Sequence, residues 1–311
     1  MGAAGLDPVA VVRALVGELP LVSVESGLTN VETSILFEIR LPRLVLGAMV
    51  GAVLAVAGAS YQGVFRNALA DPYLLGVAAG AGLGATIAFA VTRESALLAP
   101  FAFLGGLVAV VVTYALGRSV GGRSATSLIL AGVAVAAFAT AVQTYLLQQN
   151  VETLREVYSW ILGRLGTVGW GDVWELSPYA VIATAVLFAA RRLLDVLSIG
   201  DDEARALGVN VSRVRAVVVL AATMATAAAV SVSGLIGFVG IIVPHTIRLF
   251  FGWSYRAIIP LSILFGASFL MLADVAARTL VAPAELPIGV VTAFFGAPFF
   301  LLVLRTMRGP T

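Results

Sequence analysis

The chain has no cysteine and no lysine: all 19 of its basic residues are arginine, and it carries 1 histidine. The missing lysine excludes a Walker A phosphate loop, a Schiff-base lysine and a Ser-Lys dyad, so the chain cannot hydrolyse ATP with a P-loop of its own. Without cysteine, and with one histidine, there is no Cys or multi-His zinc site, no disulfide framework, and no redox compartment to infer. Charge is scarce too. Only 12% of the 311 residues are charged, against about 25% in soluble domains. Hydrophobic residues make up 60%, and the mean hydropathy is +1.03. That is the composition of an integral membrane protein. The net charge of +2 says nothing about partners until charge is placed by side of the membrane.

Uncharged stretches at Leu44–Phe65, Tyr73–Thr92, Ser95–Gly117 and Ser124–Val151 each reach the roughly 20 apolar residues that carry a helix across a bilayer. The short alternating strands of a membrane β-barrel are thereby excluded. Helical spans are expected near 44–65, 73–92, 97–117, 125–147, 176–193, 212–233, 236–251, 257–276 and 287–304, nine in all. Small residues recur at every fourth position in the first two (Gly47, Gly51, Ala55, Ala59; then Gly76, Gly80, Gly84), a spacing that lets helix backbones approach closely in lipid. Met1–Leu21 is mildly apolar, but Asp7, Arg13 and Glu18 interrupt it. It lacks the layout of a signal peptide and is not read as a span. With the 191–215 loop and the C-terminus placed inside, most arginines, Arg123 and Arg308 among them, fall on the cytoplasmic side and most acids outside. The positive-inside rule asks for that distribution of arginine. Nine spans then leave the N-terminus outside.

The 195–212 loop is expected to hold a short amphipathic helix, opened by a cap of Ser198 with Asp201 and closed by a left-handed Gly208. A second helix starts at Asn210 or Ser212. Charges of both signs beside Leu207 and Val209 suit this loop to docking another protein, and an ordinary solvated connector fits the same residues. The fourth span carries Thr140, Gln143, Thr144, Tyr145, Gln148 and Gln149 toward its outer end, and the Glu152–Gly171 stretch after it contains an amphipathic piece with Tyr158, Ser159 and Trp160. A polar lumen with a short gating helix is one reading; interhelical hydrogen bonding is the other. His245 follows Pro244 one turn before Arg248, without carboxylates in its span, and reads as structural rather than metal-ligating. Gly234, Gly237 and Gly240 ahead of it suggest backbone broken at membrane depth, tolerated only where protein or a water-filled cavity surrounds it. Asp274 and Arg278, acid first and four apart, form a favourable helical pair. The pair either snorkels at the interface or turns Arg278 toward a partner.

Five motifs run in order along the chain: Arg40-Leu41-Pro42-Arg43; Gln62 to Pro72, through Arg66, Asn67 and Asp71; Glu203 to Gly208; Gly237-Phe238-Val239-Gly240 with Pro244-His245; and Ala284-Glu285-Leu286-Pro287-Ile288-Gly289. With them the sequence closely resembles the permease subunits of the iron-chelate, haem and cobalamin ABC importers. The resemblance implies an all-α, polytopic membrane helix bundle of the type II ABC importer permease fold in the cytoplasmic (inner) membrane. It further implies a single transmembrane permease domain over residues 1–311, with 195–212 as its cytoplasmic coupling loop. Two copies, bordered by membrane lipid, would form the pathway. Two separate ATP-binding subunits would hold ATP and Mg, and an extracytoplasmic substrate-binding protein would dock outside. The chain itself would bind no cofactor, metal or nucleic acid and catalyse no reaction. Its cargo would be a metal chelate (ferric siderophore, haem or cobalamin) moved by alternating access.

By the same resemblance, Asp201, Asp202, Glu203, Ala204, Arg205, Leu207 and Gly208 couple to the ATPase. The pathway follows Thr140, Gln143, Tyr145, Gln148, Ser159 and Trp160, with contributions from the last span, and Arg40, Arg43 and Arg278 dock the binding protein. Two departures stand out. Ala68 replaces the family's usual proline, and the family has ten spans, of which the first is expected to be missing upstream of Leu6 unless Met1–Leu21 is its degenerate remnant. An ion-gradient-driven secondary transporter is the competing reading. It calls for paired intramembrane carboxylates or internal repeats, whereas the spans show only Asp274 and no convincing repeat. An intramembrane hydrolase would need a Ser-His or paired-Asp constellation that one His and one distant Asp do not supply.

Overall fold

The computed structural model describes residues 7–18, 25–91, 97–121, 125–150, 152, 154–166 and 169–307, and every element among them is helical. Arg123 and Arg308 lie outside the described residues, as does part of the Met1–Leu21 stretch and, within Glu152–Gly171, Thr153, Thr167 and Val168. Helix α1 (Pro8–Gly17) has 10 residues, about 15 Å at 1.5 Å per residue, too short to cross a bilayer. Asp7 caps it by accepting from the Val9 N–H.

A capping box starts the next helix: Thr29 accepts from the Glu32 N–H while Glu32 accepts from the Thr29 N–H. The helix then runs 36 residues to Phe65, as α2 (Asn30–Ser34), a π-helical stretch (Ile35–Arg40) and α3 (Leu41–Phe65). The span expected at 44–65 therefore begins well before Leu44, because Glu32, Glu38 and Arg40 interrupt the apolar run without interrupting the helix.

The rest is α4 (Val77–Val91), α5 (Leu98–Gly121), α6 (Ala125–Gln149), α7 (Leu154–Ile161), α8 (Gly171–Ile199), α9 (Asp201–Ala206), α10 (Val211–Ser233), α11 (Val239–Phe251), α12 (Tyr255–Thr279) and α13 (Ile288–Met307). Among the described residues, five helical stretches are long and apolar enough to cross a membrane by length and composition. Two expected spans are shorter as helices. Helix α4 has 15 residues because Pro72–Leu75 forms a 3-10 turn ended by Gly76. Helix α11 has 13 because the chain covers 234–238 without helix. Helix α8 is longer than the expected 176–193 stretch, reaching back through Glu175 and Asp172 at one end and on through Asp195 to Ile199 at the other.

Buried almost all round, α3 is the centre of the bundle, as a helix apolar on every face must be. Its small residues bring backbones together. A Cβ on Gly51 would lie 2.2 Å from the Gly266 carbonyl oxygen of α12, and one on Gly58 would lie 2.1 Å from that of Gly240 in α11. Between α4 and α5 the same holds for Gly80 against Gly105 (2.4 Å) and Gly84 against Phe101 (2.1 Å). The close approach expected from the fourfold spacing is realised, and it lets dispersion contacts replace the absent hydrophobic drive between helices in lipid.

Candidate coupling and translocation site

At the arginine-rich end of the bundle, α8 and α10 are joined through α9. Ser198 donates to the Asp195 carbonyl inside the last turn of α8, so the expected Ser198 cap with Asp201 does not form. The turn is made by Gly200 at φ 155°, ψ 158°, a region open essentially to glycine alone. A Cβ at Gly200 would also collide with the Glu203 carboxylate. Asp201, Asp202 and Glu203 fill the first turn of α9, where the helix dipole favours acids. Gly208 closes the loop at φ 81°, as expected. Asn210 then accepts from the Arg213 N–H at 3.0 Å to cap α10.

The residues expected to couple divide by face. Asp201 receives Arg215 Nη2 on both oxygens at 3.2 Å and lies 3.5 Å from Arg66 Nη2, while Ala204 is wholly buried. These two clamp the loop to α3 and α10. Asp202, Glu203, Arg205, Leu207 and Gly208 face outward, Leu207 at 65% exposure. Sequence reasoning missed Asp195. From α8 it accepts from the Tyr255 N–H and the Ser254 hydroxyl, which caps α12 from a neighbouring helix. Nearby, Asp71 accepts from the Tyr73 N–H at 2.8 Å. Burial nevertheless raises its carboxyl to about 6.

Deeper in the bundle, residues 234–238 lie between α10 and α11 without helix, and protein satisfies the freed backbone. The Tyr73 hydroxyl donates to the Ile236 carbonyl (3.0 Å) and accepts from the Ile236 N–H (3.1 Å). The Arg164 N–H donates to the Ser233 carbonyl (2.8 Å). Broken backbone enclosed by protein, as expected from the glycines, is what the structure has. Phe238 takes φ 68°, unusual for a residue with a bulky side chain. Its ring fills the space beside Gly296 of α13, where a Cβ would come within 2.3 Å. Gln62 Nε2 donates to the Gly240 carbonyl at 2.9 Å and so ties a second motif to this break. One and a half turns on, His245 is buried edge-on to Phe299. Arg248 is buried too, its guanidinium over the Trp253 and Tyr255 rings.

The expected pathway residues separate in the same way. Thr140, Tyr145 and Gln148 lie on the open face of α6, and Ser159 is exposed on α7. Gln143 does not join them: it is buried, its amide seated against Gly82 of α4, where the missing side chain leaves a notch. Trp160 is buried at 2% exposure among Ala81, Ala85, Leu98, Ala102 and Val230. The amphipathic α7 turns its Val157–Trp160 edge inward. A further link was not legible beforehand: the Leu162 and Gly163 carbonyls accept from the Gly289 and Ile288 N–H groups (3.1 and 3.2 Å). That pairing fastens the end of α7 to the start of α13.

At the opposite end, Arg43 forks Asp274 Oδ1 through Nε (3.0 Å) and Nη2 (2.8 Å) and reaches Glu285 with Nη1 (2.9 Å). Arg278 reaches Asp274 Oδ2 through Nε at 3.0 Å, the expected helical pair. Asp274 therefore sits between two arginines with 6% of its side chain exposed. Arg40, at the end of the π-helical stretch, is half-buried.

A bundle of closely packed membrane helices with one broken at depth, and a short helix clamped at its arginine-rich end, defines a transmembrane transport subunit of the type II ABC importer permease fold. A structure of a metal-chelate type ABC transporter in an inward-facing conformation matches it with a TM-score of 0.84 and 29% identity, covering 96% of this chain and 95% of that one. The chain belongs to the FecCD transport family, whose profile matches residues 1–306. It is similar to the cobalamin import system permease protein BtuC of Halobacterium salinarum, with 43% identity over 268 residues, 86% of this chain and 72% of that one. It is also similar to the hemin transport system permease protein HmuU of Yersinia pestis, with 41% identity over 278 residues, 86% and 82% of the two chains. It is accordingly a multi-pass protein of the cytoplasmic membrane, and its relatives are permease subunits that translocate rather than catalyse.

Proposed function

We propose that this chain is the membrane-spanning subunit of an ATP-driven importer that moves a metal chelate of the ferric siderophore, haem or cobalamin class inward by alternating access. It works as a pair of copies with two ATP-binding subunits, which carry ATP and Mg, and an extracytoplasmic binding protein. The observation that carries this reading is the α9 loop. Asp202, Glu203, Arg205 and Leu207 are presented outward on a helix whose inner side is locked to Arg66 and Arg215 through Asp201. A push on that outer surface reaches α3 and α10 through the clamp. Hydrolysis has to come from a separate subunit, since the chain has no lysine for a P-loop. The names of the relatives support the cargo class.

Thr140, Tyr145, Gln148 and Ser159 supply the polar lining of the pathway where two copies face each other. Arg40, Arg43 and Arg278 dock the binding protein through carboxylates on its surface, for which the guanidinium fork is well shaped. Arg43 contributes chiefly by holding Asp274 and Glu285, which leaves the terminal N–H groups of Arg278 for the partner. The buried carboxylate Asp274 is neutralised by two arginines, an arrangement suited to docking and not to carrying a proton or sodium ion. Affinity purification of the tagged chain tests the coupling assignment. The ATP-binding subunit is expected to co-purify with wild type and to be released, or to hydrolyse ATP without transport, in Glu203→Arg and Leu207→Asp. Unchanged association and transport in both variants would contradict it.

A further inference from the structure

Beside the clamp, the C-terminal end of α5 and the first turn of α10 enclose a cavity of about 550 Å³ lined by Arg118, Arg213, Arg215, Asn210 and Ser212. Among the described residues no carboxylate lines it, and Arg118 and Arg213 have no carboxylate partner. Arg215 is held by Asp201 through Nη2, while its Nε is buried without a hydrogen-bond partner. From this cavity an apolar surface groove runs along α5 and α10 over Leu107, Val110, Val111, Val219 and Leu220, sharing Tyr114, Arg118 and Ala216 with it. Leu107 to Arg118 on α5 covers three turns, roughly 16 Å, about half of the ~30 Å hydrocarbon core. A basic chamber at one face joined to an apolar slot one leaflet deep is complementary in shape and charge to an anionic phospholipid, whereas a soluble anion has no use for the slot.

We propose that this cleft binds one anionic phospholipid per chain, its headgroup phosphate on Arg118, Arg213 and Arg215 and an acyl chain along the groove between α5 and α10. Basic pockets between helices at the cytoplasmic side are a recurrent device for holding such headgroups. Because Arg215 also clamps Asp201, an occupied site braces the junction that carries the α9 loop.

Native mass spectrometry of the purified full-length chain with equal amounts of dioleoylphosphatidylglycerol and dioleoylphosphatidylcholine tests this. Wild type is expected to retain one phosphatidylglycerol in preference to phosphatidylcholine. Removing two charges in Arg118→Gln/Arg213→Gln is expected to lower that preference about 30-fold. Leu220→Trp, which fills the groove from a position 61% exposed, is expected to weaken retention of both lipids with the arginines intact. It decides the question should the double variant fail to fold. Equal retention of the two lipids by wild type overturns the proposal. So does phosphatidylglycerol binding that survives Leu220→Trp but is displaced by inorganic phosphate, which would mark a soluble-anion site. Loss of retained lipid when the ATP-binding subunit is added would give the arginines to a protein interface and overturn it equally.

Discussion

Gly58 and Asp274 show how single residues set the limits of this bundle. The Cβ position of Gly58 is occupied by the Gly240 backbone at 2.1–2.6 Å, and backbone cannot swing aside as a flexible side chain would. Gly58→Leu is expected to cost about 3 kcal/mol, the upper end for overpacking, read as a lowered Tm in detergent. Gly171→Ala, where nothing lies within 4 Å, is expected to leave Tm unchanged. Equal Tm shifts in the two would contradict the packing account. At Asp274 the issue is charge. Arg43→Gln leaves a nearly buried carboxylate with Arg278 alone, and breaking such a pair costs about 3 kcal/mol. Asp274→Asn in the same chain is expected to recover part of that loss, so a double-mutant cycle gives a clear coupling energy. Strictly additive effects would mean that the two side chains do not interact. The Asp274–Arg278 half of this cluster was legible in the sequence because helical neighbours repeat every four residues. The Arg43–Asp274 half was not, since the partners are 231 residues apart and only the packing of α3 on α12 brings them together.

At the scale of elements, the sequence revealed helices through long apolar runs and so misplaced ends that depend on local hydrogen bonding. The start of the 36-residue helix at Asn30 was written in the Thr29–Glu32 capping box, but the charges around it masked the signal. The shortness of α4 and α11 follows from a 3-10 turn and from a stretch held by Tyr73, neither of which hydropathy registers. The existence of α9 and its Gly208 closure were readable. The assignment of Asp201 and Ala204 to its inner face was not, because it depends on the unusual backbone at Gly200. For α6 and α7 the facing of each residue makes a direct prediction. In this cysteine-free chain, single cysteines at Thr140, Tyr145, Gln148 and Ser159 are expected to react with a water-soluble maleimide in the assembled transporter and to be protected by substrate. Cysteine at Gln143, packed on Gly82, is expected to stay unreactive. Reaction at Gln143 as fast as at Gln148, or no protection anywhere, would move the pathway off this face.

For the molecule as a whole, the helical bundle and its membrane location were readable from composition and spacing. The functional reading rests on how the two ends are tied to the centre. At one end α9 is locked to α3 and α10; at the other Asp274 of α12 is locked to Arg43 of α3. Helix α3 thus connects the surface proposed for the ATP-binding subunit with that proposed for the binding protein, while the broken backbone before α11 leans on its middle through Gly58 and Gln62. In this frame the buried acid Asp274 is engaged by two arginines. The most direct test is uptake of the metal chelate that its binding protein holds into proteoliposomes containing this chain, its ATP-binding subunits and its binding protein, with either ATP enclosed or a proton or sodium gradient imposed. Uptake is expected only with ATP, to be indifferent to the gradients, and to be lost in Leu207→Asp. Accumulation driven by an ion gradient in vesicles that contain this chain alone, without ATP, would contradict the account.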